Sequence, residues 1–87
     1  MNDKPRHILE QFPEKSHTIT HLMKEDPEFF ALCEDYDACV NALRYWTKSK
    51  KPEAKTRVNE YRTLIEELEN EVLEALDANG VRGRAEV

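Results

Sequence analysis

The chain has 87 residues, 36% of them charged and 39% hydrophobic, and carries a formal net charge of -5 at pH 7. That length makes one domain with a modest core, and the acidic balance argues against a nucleic-acid binder, which needs a basic surface to displace phosphate counterions. The polar start of the chain does not read as a signal peptide, and no apolar run approaches the roughly 20 residues of a membrane span. The expected setting is therefore the cytoplasm, most simply of a bacterium.

The elements follow from the prolines, at 5, 13, 27 and 52, each leading into helix-forming residues. Asp3 is placed to cap a short helix over about residues 4–11, and Pro13 opens a second over about 13–25. Asp26-Pro27-Glu28 is a strong helix start: a capping carboxylate, a proline in the first turn, and an acid that suits the helix dipole. From Pro27 to about Ser49, apolar residues recur at Phe29, Leu32, Tyr36, Cys39, Leu43 and Trp46, in alternating steps of three and four. That is a heptad seam. Lys48-Ser49-Lys50-Lys51-Pro52 breaks it, because proline disfavours helix at the residue before it. A second seam follows over about 53–79, through Ala54, Val58, Tyr61, Ile65, Leu68, Val72 and Ala75. Asn79-Gly80 reads as its stop.

Two seams joined by so short a break meet as an antiparallel pair. The expected fold is all-α: residues 1–25 form an N-terminal helical segment, 26–79 a coiled-coil-like hairpin, and 80–87 a flexible tail. Ile8, Leu9, Phe12, Ile19, Leu22 and Met23 should pack on the hairpin, and Leu43 and Ile65 should lie in its core. Cys33 and Cys39, about 240° apart around their helix, read as small reduced core residues and not as a shared metal site.

Phe12-Pro13-Glu14, followed by Ile19, Leu22, Asp26, Phe29, Leu32, Tyr36 and Leu43, resembles in order and spacing the small bacterial YdcH-like proteins, a family of unknown function. Leu68, Glu71, Val72 and Leu76 match that family's closing stretch. Cys39, Trp46 and the acidic run 66–71 depart from its pattern. The resemblance implies a helical hairpin and no activity.

Little in the chain carries chemistry. His17 and His21 stand one turn apart, which is ligand spacing for a transition metal, and Glu14 and Glu25 lie on roughly the same face, but the His-Glu-x-x-His signature is absent. They read as solvated histidines, and no metal or other cofactor is assigned. The carboxylates lie on the polar faces of long helices, where water is not excluded, and neither cysteine has a base in sequence range. An enzyme is not expected. Lys48, Lys50, Lys51, Lys55 and Arg57 make the interhelical turn basic. Phe30, Tyr45, Leu64 and Leu73 fall outside the two seams and are left for a partner.

A non-catalytic protein–protein interaction or assembly module is the expected function. An alternative is an RNA- or ribosome-associated accessory protein using the basic tip; a third is a metal-responsive protein using His17 and His21. The opposite charge at the two ends of the hairpin, basic at the tip and acidic around Glu25, Glu28, Glu74 and Asp77, also suggests a weak antiparallel homodimer.

Overall fold

The computed structural model describes residues 5–85, the last seven of these as helical backbone. In chain order it contains α1 (His7–Gln11), a 3-10 turn (Pro13–Lys15), α2 (Ser16–Glu25), α3 (Pro27–Lys48) and α4 (Ala54–Ala85). The fold is all-α. The long helices α3 and α4 pack against each other as an antiparallel hairpin, and α1 and α2 pack on α3. The result is a rod, 54 × 28 × 21 Å.

The helix starts follow local chemistry in one case and tertiary chemistry in another. At α3, Asp26 Oδ1 accepts hydrogen bonds from the backbone N–H groups of Glu28 (3.0 Å) and Phe29 (3.3 Å), as its position before Pro27 implies. Such a cap contributes about 1 kcal/mol. The short α1 begins later than expected, at His7, and Arg6 at its N-cap position offers no side-chain bond. The expected cap, Asp3, lies outside the described residues. Asp37 of α3 takes that role: its Oδ1 accepts from the backbone N–H groups of Arg6 (3.1 Å) and His7 (2.9 Å). The segment expected as one helix over 13–25 divides into the 3-10 turn and α2.

At the tip, Ser49 leaves the helix with extended backbone, and its Oγ accepts from the N–H of Lys51 at 3.1 Å. Helix α4 does not stop at Asn79-Gly80. It continues through Gly80 and Gly83 to Ala85. A glycine stop requires the left-handed conformation, and no described glycine has a positive φ. Glycine is merely permissive, and holding it helical costs about 1 kcal/mol. The expected tail is therefore helical as far as Ala85; residues 86 and 87 lie outside the described residues.

The core sits at the open end of the hairpin. Ile8, Ile19, Leu22 and Met23 from the N-terminal segment meet Phe29, Cys33 and Tyr36 of α3 and Val72 and Leu76 of α4. Full burial of an aliphatic side chain such as Ile8 or Ile19, both at 0% exposure, stabilises by about 1.5–3 kcal/mol. Toward the tip the pattern changes. From Asp37 to Glu71 no side chain is fully buried. Leu43 and Ile65, expected in the core, are half-buried, because two helices without a third layer cover only one side of each seam residue.

Candidate functional site

The N-terminal segment seals one face of the hairpin and leaves the other open. On the sealed face, the half-buried His7 anchors α1 to α3. Its backbone donates to Asp37, and its Nε2 lies 3.1 Å from Asn41 Oδ1. Glu10 Oε1 is 3.5 Å from the other ring nitrogen. Across the hairpin, the Tyr36 hydroxyl donates to Glu69 Oε2 at 2.7 Å. Burial, reinforced by that bond and by the Glu69 charge, pushes the Tyr36 pKa up.

The open face is a groove between α3 and α4. Ala38, Cys39 and Ala42 line it from α3, with Tyr61, Leu64 and Leu68 from α4. Asp35, Glu67 and Glu71 supply its carboxylates. Its volume is about 450 Å³. Asp35 and Glu71 also line an adjoining stretch toward the open end, where Asp26, Glu28, Ala31 and Leu32 continue the α3 side. Leu64 stays 42% exposed here.

The four apolar residues left outside the seams separate into two pairs. Phe30 and Leu73 are half-buried and pack against the core. Phe30 is met by Leu9, Thr20, Met23 and Lys24, which line a small cavity of about 110 Å³ with it. The core reaches both, so each keeps only part of its surface exposed. Tyr45 and Leu64 are exposed, Tyr45 by 54%.

The basic tip forms as a surface feature. Lys48, Lys50, Lys51, Lys55 and Arg57 are all exposed. Lys51 Nζ lies 6.0 Å from the Tyr45 ring centroid and 5.8 Å from that of Trp46, and the two rings meet edge to face at 5.0 Å. Arg57 pairs with Glu60 at 2.9 Å in an exposed bridge, a class worth little in stability.

His17 and His21 are both exposed on α2. Among the described residues, no group of three or more His, Cys, Asp and Glu side chains is placed to hold a metal ion. The cysteines are free thiols. Burial, aided by the Asp37 charge, pushes the Cys33 thiol up to about 12. Cys39 is half-buried in the groove and not in the core; burial and then the Asp35 charge raise its thiol too. Both shifts run opposite to those that activate a cysteine nucleophile.

The groove was only half legible in the sequence. Cys39, Tyr61 and Leu68 stand on the seams and Leu64 on a shoulder, but nothing marked Ala38 and Ala42 as its other wall. Neither did any signal mark Asp37 and Asn41 as the anchor for His7, because contacts across 30 residues or more leave no local pattern.

The class that fold and surface define is an all-α protein built on an antiparallel helical hairpin, with one face sealed by its own N-terminal helices. No helix among the described residues is long and apolar enough to cross a membrane. No family model matches the chain, and comparison with curated proteins and with solved structures gives no match.

Proposed function

We propose that this protein is a non-catalytic protein–protein interaction module of the cytoplasm, docking through the hairpin face that its N-terminal segment leaves uncovered. One observation carries the reading. The chain covers one face of α3 and α4 with buried Ile8, Ile19, Leu22 and Met23, while the other keeps a groove with Leu64 exposed in it. An apolar groove with polar edges is the usual form of a site for a protein segment. The raised thiols of Cys33 and Cys39 support a role without covalent chemistry. The resemblance to the YdcH-like proteins fits a hairpin of this kind and adds no activity.

The test is capture of partners by the immobilised chain, with Leu64→Glu and Lys51→Glu compared. Loss with Leu64→Glu alone supports the groove. Loss with Lys51→Glu alone moves the function to the tip. That second reading, an RNA- or ribosome-associated accessory protein, rests on the five exposed cations of the tip, one of which, Lys51, lies beside the Tyr45 and Trp46 rings. It requires binding that weakens steeply with salt.

A further inference from the structure

Resting on that reading, we infer that the occupant of the open face is a basic amphipathic helix of a partner protein, laid along α3 and α4 as a third helix. The argument begins with shape. The two adjoining stretches run along α3 from Asp26 to Ala42, about 24 Å at 1.5 Å per residue. Cys39 and Ala42 stand three apart on α3, and Leu64 and Leu68 four apart on α4, so a ridge of each helix flanks the groove, the arrangement into which the ridge of a third helix packs. The groove is open along its length, which suits a rod-like segment better than a small molecule, whose sites enclose most of the ligand.

Charge selects the kind of helix. Asp26, Glu28, Asp35, Glu67 and Glu71 line the two stretches, and no lysine or arginine does so among the described residues. A helix with apolar residues toward Leu64 and Leu68 and lysines or arginines on its flanks would meet a carboxylate on each side. A second copy of this chain is a poorer match. Pairing the groove with the groove of a second copy would bring carboxylates against carboxylates, which disfavours association, and the tip cations of the expected antiparallel dimer lie outside the groove.

The experiment uses the full chain and three synthetic 18-residue peptides, a length of about 27 Å when helical. One has leucines on a single helical face and lysines on its flanks. The second has the same composition scrambled, and the third has glutamates in place of the lysines. Binding is read by fluorescence anisotropy. Only the first peptide should bind. Leu64→Glu, and separately the double variant Asp35→Lys/Glu71→Lys, should weaken it by about tenfold or more. The double variant should gain affinity for the glutamate peptide. Glu34→Lys, an exposed acid outside the groove, should leave binding unchanged. Circular dichroism confirms that each variant folds. Equal binding of the scrambled peptide reduces the effect to net charge and overturns the inference, as does failure of the first peptide to bind. Sedimentation of the free chain supplies a further arm: a dimer dissociated by Leu64→Glu would assign the groove to a second copy and likewise overturn it. If partner capture still depends on Leu64 while the lysine peptide fails, the docking face stands and only the basic helix falls.

Discussion

Asp37, midway along α3, accepts a hydrogen bond at 2.9 Å from the backbone N–H of His7, thirty residues earlier, and so caps a helix to which it does not belong. The same oxygen accepts from Arg6. A five-residue helix cannot hold itself together in water, so α1 depends on this bond and on the burial of Ile8. Asp37→Ala should cost about 1–2 kcal/mol, the range for loss of a good N-cap. Asp37→Asn, which keeps an acceptor oxygen, should cost less. Hydrogen exchange at the amides of residues 6–10 checks this: protection should fall there first, with α3 and α4 little changed.

Stability should be concentrated at the open end. Ile19→Ala removes a fully buried side chain where three elements meet, and should cost about 2–5 kcal/mol. Leu43→Ala and Ile65→Ala remove half-buried side chains from the two-layer part of the hairpin and should cost about 1–2 kcal/mol each. Urea denaturation of the three variants decides the point. Equal losses would mean that the distal hairpin is as tightly packed as the open end.

The N-terminal segment should be indispensable to the folded hairpin. Removing residues 1–25 takes Ile8, Ile19, Leu22 and Met23 out of the core and uncovers Phe29, Cys33 and Tyr36. The remaining chain should aggregate or melt without cooperativity, as followed by light scattering and circular dichroism. A soluble truncated chain with the melting curve of the whole would refute that dependence.

Alkaline pH should destabilise the protein through two buried groups. The Cys33 thiol is raised from 9.0 to about 12 by burial and by Asp37, and the Tyr36 hydroxyl is raised by burial and by Glu69. A group raised in the folded state holds its proton there longer than in the unfolded chain. Its contribution is therefore complete below the unfolded pKa and is lost as the pH climbs through the folded one. For Cys33 that window runs from about pH 9 to 12. Denaturation midpoints under reducing conditions should fall across it, and Cys33→Ala should flatten the fall. An unchanged slope in that variant would remove Cys33 as the cause.

What the sequence determined by itself is the local architecture. The Asp26-Pro27 start, the break before Pro52 and the three-and-four spacing of Phe29, Leu32 and Tyr36 specify two long helices and a turn through interactions of neighbouring residues, and these reappear in the fold, whereas Pro13 opens a 3-10 turn and not the expected α-helix. The exposure of the tip lysines followed from the same logic. Tertiary structure decided which part of the two seams became core. The heptad pattern is alike at Tyr36 and Leu43, yet one is buried and the other half-exposed, because α1 and α2 meet α3 only toward the open end. Phe30 and Leu73 changed from leftover surface to packed residues for that reason. The capping of α1 by Asp37, and the meeting of Cys39 and Ala42 with Leu64 and Leu68, join residues far apart in the chain. Periodicity reports the face of one helix, and only the packing of helices determines which faces meet and which remain open.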